Sequence, residues 1–303
     1  MSAADITPVS LTLVEQDLRA AAHAIGDSFE RTGFAVVSDH GIPAELIARA
    51  DAAARAVWAM PASEKALYHI PGTGGARGYT PFGIETAKDA STSDLKEFWH
   101  VGRALPAGHR FEPYMPPNVW PAQVPDFGPA SYALYDALDH AGRRILRAVA
   151  THIGLPADFF DDAVADGNSV LRLLHYPPVP QDAPGVRAGA HEDINVITLL
   201  LGAEEAGLQL LDRAGEWRSI TPPPGSLVVN VGDMLQRLTG GRLPSTTHRV
   251  VNPAPERRHL PRYSTPFFLH FRPDFLITPM AGGEPPITAN DYLLQRLREI
   301  KLL

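Results

Sequence analysis

Apolar positions recur with two periods along this chain, helical in the first half and strand-like in the second. Residues from about 11 to 32 repeat at helical spacing and stop at Gly33, a residue suited to a helix C-cap. "FAVVSDHGI" (34–42) predicts a short strand running into a turn, and "PAELIARADAAARAVWAM" (43–60) an alanine-rich helix opened by proline. A glycine-rich loop at 71–83 and an irregular polar stretch to about 125 follow, then a long helix over about 128–153. After residue 168, short β-rich runs alternate with Gly and Pro: "SVLRLLHYPP", "INVITLLLG", "GLQLLD", "EWRSI", "GSLVVNVGDML", "THRVVNP" and "RYSTPFFLHF". Strands so short and so closely spaced predict a sandwich or barrel. "DYLLQRLREI" (291–300) predicts a closing helix.

The expected architecture is therefore mainly β with α+β character: a jelly roll or barrel with N-terminal helices packed against it, as one unit over 1–303. Its regions are a helical part with loops (1–125), a helical connection (126–167), the β core (168–285) and a C-terminal helix (286–303). Composition narrows the partners. With 27 basic and 34 acidic residues the formal net charge is −7, and the basic residues are scattered, which argues against nucleic acid. There is no cysteine, so disulfides, thiolate metal sites and cysteine nucleophiles are excluded. The first residues lack a basic start followed by an apolar core, and no apolar stretch approaches the roughly 18 residues of a membrane span. The expectation is a soluble, cytoplasmic protein with no membrane partner; nothing in the sequence fixes its oligomeric state.

"AHEDINVITLLLG" (190–202) sets a histidine and two acids before an apolar run that reads as a buried strand. Side chains two apart on a strand share a face, so His191 and Asp193 would project together and Glu192 away. A third ligand is available from His248, at the start of another β run. Two histidines and one carboxylate form the facial triad of non-haem Fe(II) oxygenases, which leaves positions open for a bidentate co-substrate and dioxygen. The His-x-Asp pair by itself fits a hydrogen-bonded dyad equally well, because short motifs are common by chance. Further along, "RYS" places Arg262 and Ser264 on one strand face, where a guanidinium fork beside a hydroxyl forms a carboxylate receptor.

Together these segments resemble the isopenicillin-N-synthase-like family of Fe(II)/2-oxoglutarate-dependent oxygenases over nearly the whole chain. "GFAVVSDHGI" is similar to the family's N-terminal "GF-x-x-V-x-NHGI" segment, and "LLHYPPVP" (173–180) to its Tyr-Pro-Pro strand end. "HEDINVITLLLG…GLQLLD…W" and "GSLVVNVGDMLQRLTGGRLPSTTHRVV" resemble its barrel core, and "RYSTPFF" its co-substrate strand. The resemblance implies a double-stranded β-helix, iron held by His191, Asp193 and His248, and 2-oxoglutarate held by Arg262 and Ser264 with Tyr176 as a further donor. Leu174 stands where the plant enzymes often carry asparagine. It implies oxidation of a small-molecule substrate by Fe(II), 2-oxoglutarate and O2, with release of succinate and CO2. No catalytic group beyond the metal ligands is required.

On strand parity Phe268 and His270 would face the substrate beside Arg262 and Ser264. The loop before residue 102 offers Tyr79, Phe82, Lys96, Phe98, Trp99 and His100 as rim or lid candidates. Arg172 reads as a surface charge or a supporting partner. Two other readings stay open at this point. Arg262 and Ser264 receive a carboxylate without saying whose, so an oxidase binding its own substrate there and using no 2-oxoglutarate fits too. A barrel holding Zn or Ni without redox turnover, as a hydrolase, isomerase or binding module, also fits, since two histidines and a carboxylate suit zinc.

Overall fold

The β-rich runs after residue 168 become two facing sheets in a computed structural model, which describes residues 4–71, 76–84, 94–178, 186–201 and 207–299. The early strands are β1 (Val9–Ser10), β2 (Phe34–Ser38), β3 (Gly78–Thr80) and β4 (Glu97–Gly102). Next come β5 (Val170–Tyr176), β6 (Ala188–His191), β7 (Ile197–Leu201), β8 (Leu208–Leu211) and β9 (Trp217–Ser219). The last are β10 (Leu227–Val231), β11 (His248–Val250), β12 (Arg262–Leu269), β13 (Leu276–Ile277) and β14 (Ile287–Thr288). Among the described residues the larger sheet runs β1-β2-β10-β7-β12-β5-β4-β3, antiparallel except for β1 on β2. A smaller antiparallel sheet runs β6-β11-β8-β9. These two sheets are the jelly-roll core, and β13 pairs separately with β14.

The helices are α1 (Leu13–Gln16), α2 (Leu18–Thr32), α3 (Ala44–Trp58), α4 (Ala62–Lys65), α5 (Phe127–His152), α6 (Phe159–Ala165), α7 (Asp233–Leu238) and α8 (Ala289–Glu299). The segment expected as one helix over 11–32 is split at Asp17, whose carboxylate accepts from the Ala20 N–H at 3.0 Å and caps α2. Gly33 ends α2 at φ 72° with its N–H on the Phe29 carbonyl, the C-cap expected of it. None of the described helices is long and apolar enough to cross a membrane.

The stretch to residue 125, expected to be irregular, contains β3 and β4, so the N-terminal region supplies four strands of the larger sheet. Polar residues disguised β4. Its Glu97 and His100 are buried and paired inside, which removes the apolar run that would have marked it as a strand. Two short helices, α4 and α7, were not expected either, being too short to show a helical period, whereas α6 falls within the region expected as a helical connection.

Both faces of the larger sheet are covered, and its residues sort by parity. Trp99, Val101, Leu171, Leu173, Leu199, Val229 and Phe267 join the main core with Ile25 and Phe29 of α2 and Leu138 and Leu146 of α5. The opposite face gives Phe34 and Val228, packed with Leu210 of β8 and Ile220 just after β9, and the separate cluster Phe98, Leu174 and Tyr176. The inner face of the sandwich therefore carries alternate residues of each strand, and the chemistry expected from the sequence lies there.

Behind the sheet, Glu97 is buried and accepts from Lys65 Nζ at 2.8 and 2.9 Å, Tyr79 Oη at 2.5 Å and His175 Nδ1 at 2.7 Å. Burial pushes this carboxyl up, but His175, Lys65 and Tyr79 outweigh it and hold it below the usual carboxylate range. Lys65→Met takes the ammonium away from the buried carboxylate. It is expected to cost about 3–5 kcal/mol in urea unfolding, and a loss under about 1 kcal/mol contradicts this reading of the cluster.

Candidate metal and co-substrate site

The stretch 190–202 is not one strand. β6 ends at His191 in the smaller sheet, β7 begins at Ile197 in the larger, and Glu192–Val196 cross between them. His191 and Asp193 therefore meet through a bend and not through strand parity. The Asp233 N–H donates to the Asp193 carbonyl at 2.7 Å and the Gly232 N–H to the Val196 carbonyl at 2.9 Å, which fastens the bend to the start of α7. Only glycine allows this approach, since a Cβ at Gly232 would stand 2.1 Å from the Asn195 carbonyl oxygen. Glu192 does turn away, accepting from Thr247 Oγ1 at 2.9 Å.

His248 pairs with His191 across β11 and β6, and their rings lie 4.4 Å apart. Asp193 Oδ1 is 3.8 Å from His191 Nε2, and Oδ2 is 3.9 Å from His248 Nε2. One ligand atom from each of the three residues lies within 4.8 Å of the other two, a spacing that could hold a metal ion. His191 Nδ1 donates to the Gly189 carbonyl at 2.8 Å, and His248 Nδ1 to the Thr246 carbonyl at 3.1 Å. A carbonyl can only accept, so both rings carry a proton on Nδ1 and turn Nε2 toward Asp193. His191 keeps an edge open to solvent, yet burial, then the His248 ring, pull it down to about 4. Burial raises the Asp193 carboxyl, but the two rings and hydrogen bonds from Thr198 Oγ1 (2.5 Å) and Asn230 Nδ2 (2.8 Å) hold it below its ordinary value. Two imidazole Nε2 atoms beside a carboxylate are a donor set that suits Fe(II).

Arg262 and Tyr176 are cross-strand partners, and the guanidinium lies 5.1 Å from the tyrosine ring centre. Ser264 pairs with Leu174 on the same face, and Arg262, Ser264 and Tyr176 are all buried. Phe268 and His270 continue that row toward Asp193, whose Thr198 partner is cross-strand to Phe268. Phe98 lies on this face with Leu174 and Tyr176, and His100 accepts from Arg172 Nε at 2.6 Å. Arg172, read from sequence as a surface charge or a supporting partner, has its guanidinium 4.2 Å from the Phe98 ring and 5.3 Å from Phe268.

Other rim candidates fall elsewhere. Tyr79 is cross-strand to Trp99, so both point to the helix side of the sheet, away from the cluster. Phe82 is 49% exposed in a turn, and the loop after Ile84 lies outside the described residues. Lys96 pairs with Asp94 at 2.8 Å, and Asp94 accepts from the N–H of Gly189, the residue whose carbonyl anchors His191. Sequence reasoning missed Thr198 and Asn230, which hold Asp193. Their only signal was polarity in the middle of the apolar strands "VITLLL" and "LVVNV".

Comparison with known proteins settles the class. The pattern described as "2OG-Fe(II) oxygenase superfamily" matches residues 167–271, and "non-haem dioxygenase in morphine synthesis N-terminal" matches 5–123. A "2-oxoglutarate-Fe(II) type oxidoreductase hxnY" of Emericella nidulans is 34% identical over 293 residues, covering 89% of this chain and 81% of its own. A Caulobacter crescentus crystal structure assigned to the 2OG-Fe(II) oxygenase family is 55% identical, with TM-score 0.91 over 98% of this chain and 99% of the other. Neurospora crassa T7H, solved in complex with alpha-KG and thymine, is 29% identical, with TM-score 0.84 over 97% and 96%. The chain belongs to the 2OG-Fe(II) oxygenase superfamily. It is an Fe(II)- and 2-oxoglutarate-dependent dioxygenase, which favours neither the 2-oxoglutarate-independent oxidase nor the non-redox barrel.

His270 yields a test of the buried face. Burial pulls it down to about 4, while its Nδ1 donates to the Phe268 carbonyl at 3.1 Å. In the unfolded chain it titrates near ~6.5, so its neutral form costs nothing above that pH. Stability is lost as pH falls from there toward 4, where the unfolded state alone takes up the proton. His270→Gln in metal-free protein is expected to flatten the fall in unfolding free energy between those values by about 2–3 kcal/mol. An unchanged slope would show that His270 is free to protonate in the folded state.

Proposed function

We propose that His191, Asp193 and His248 hold the Fe(II), and that Arg262, Ser264 and Tyr176 hold the distal carboxylate of 2-oxoglutarate. The observation that carries this reading is the pair of backbone-anchored Nδ1–H groups, which commit both histidines to present Nε2 beside the Asp193 carboxylate. When bound, Fe(II) and 2-oxoglutarate together activate dioxygen, and the co-substrate leaves as succinate and CO2 as a substrate C–H bond is oxidised.

The chain's own residues bind and orient. Arg262 offers a charge-assisted fork and Ser264 a hydroxyl to one carboxylate, in a buried setting where such bonds are strong. Thr198 and Asn230 fix the Asp193 carboxylate so that it stays ionised and correctly turned. Phe268, His270 and Phe98 form the wall beside the iron against which a small substrate is positioned away from water. The thymine in the Neurospora crassa T7H complex is a substrate-sized molecule of this kind. Tyr79 and Phe82 have no part in that wall on the present reading.

The protein is assigned to the cytoplasm. Its cysteine-free sequence gains nothing from an oxidising compartment, and its net charge of −7 disfavours nucleic acid and anionic membrane surfaces.

Anaerobic addition of 2-oxoglutarate to the Fe(II) protein is expected to produce a weak visible charge-transfer band, and air then to yield succinate. Asp193→Ala is expected to abolish both while leaving the far-UV circular dichroism unchanged. Arg262→Ala is expected to weaken 2-oxoglutarate binding by about 2–4 kcal/mol. If the band and succinate fail to appear in the unsubstituted protein, this assignment of the site is wrong. A normal 2-oxoglutarate affinity in Arg262→Ala sinks the co-substrate half alone.

A further inference from the structure

Arg77 is 2% exposed, and only part of its guanidinium is engaged. Nη1 donates to the Ala76 carbonyl at 2.7 Å, whereas Nε and Nη2 have no hydrogen-bond partner among the described residues. Those two nitrogens form one edge of the guanidinium with parallel N–H bonds, the edge that matches a carboxylate bidentately. Buried arginines are ordinarily paired, as Arg103 is with Asp139 at 2.8 Å. Burial pulls the Arg77 guanidinium down to about 10, with only Tyr135 opposing it.

The chain makes room for the guanidinium. A Cβ at Gly102 would stand 1.9 Å from Arg77 Cζ, 2.0 Å from Nη2 and 2.2 Å from Nε, so any other residue would displace the guanidinium. Gly102 follows His100 by two residues on β4, and therefore shares its face with His100 and Phe98. Its partner on β5 is Val170, itself the partner of Phe268 on β12. The guanidinium thus rests on the wall assigned above to the substrate. Both Asp193 and Arg77 act electrostatically on the His270 ring. Arg262 lies at the opposite end of the β12 row from His270, eight positions away.

We propose that the Nε–Nη2 edge of Arg77 is a subsite for a carboxylate of the primary substrate, so that the enzyme oxidises a small organic acid. The inference rests on the proposed function, in which Arg262 takes the carboxylate of 2-oxoglutarate and leaves a second one to Arg77. Two guanidiniums, one at the start of β12 and one against Gly102 of β4, would sort two acids by position. The Phe98 and Phe268 rings, both within reach of the Arg172 guanidinium, belong to the same wall.

The test uses acetate as the probe and acetamide as its neutral counterpart. Each is titrated calorimetrically into enzyme loaded anaerobically with Fe(II) and saturating 2-oxoglutarate, so that Arg262 is already occupied. Acetate is expected to bind at least about tenfold more tightly than acetamide. Arg77→Met is expected to abolish that preference, with 2-oxoglutarate affinity within about twofold of the starting value. Arg77→Lys keeps the charge and most of the volume but not the parallel donors, and is expected to fall between; it decides the matter if Arg77→Met does not fold. Equal binding of acetate and acetamide, or a preference that survives in the folded variant, overturns the proposal and leaves Arg77 as a packing residue for Gly102. A wild-type protein that binds no 2-oxoglutarate contradicts the iron-site reading instead, and the Arg77-dependent preference for acetate is then read without it.

Discussion

The structure is organised around one costly requirement, an ionised Asp193 buried between two sheets within reach of two imidazoles. A carboxylate loses its hydration there and must recover it from fixed donors. Thr198 and Asn230 supply two hydrogen bonds from strands β7 and β10, neighbours in the larger sheet. The histidines come from β6 and β11 of the smaller sheet. The site thus exists only when the two sheets face each other correctly, and the bend that carries Asp193 is the seam between them. Gly232 is part of that seam, because a side chain there would push the Asn195 carbonyl away.

The same arrangement separates support from chemistry. On the helix side of the larger sheet, ionic demands are met internally: Glu97 is surrounded by Lys65, Tyr79 and His175. On the inner side the sheet carries arginines. Arg262 and Arg77 are both buried there, and Arg172 lies between Phe98 and Phe268. A self-satisfied network rigidifies a wall, whereas a donor edge left unmet, as on Arg77, is an invitation to a substrate.

Much of this was legible in the sequence because it depends on period-two alternation and on residue types with few chemical uses inside a barrel. His191, Asp193, His248, Arg262, Ser264 and Tyr176 all stand out in short motifs, and the structure gathers them on the inner face of the sandwich. The way His191 and Asp193 meet was misread. A bend looks like a strand when both flanks are apolar, and the hydrogen bonds from Asp233 and Gly232 that make it leave no periodic trace. β4 was missed because its charges are paired out of sight, and Tyr79 was misplaced because its side of the sheet depends on a register with Trp99 that sequence does not state. Arg77 carried no signal at all, since its meaning comes from a glycine 25 positions later.

The measurement closest to the central claim is a crystal structure of the protein loaded anaerobically with Fe(II) and 2-oxoglutarate. The account predicts one iron bound by His191 Nε2, His248 Nε2 and an Asp193 oxygen, chelated by the keto-acid end of 2-oxoglutarate, whose far carboxylate meets Arg262 and Ser264. Iron bound away from these three residues, or a far carboxylate seated anywhere but on Arg262, would contradict it.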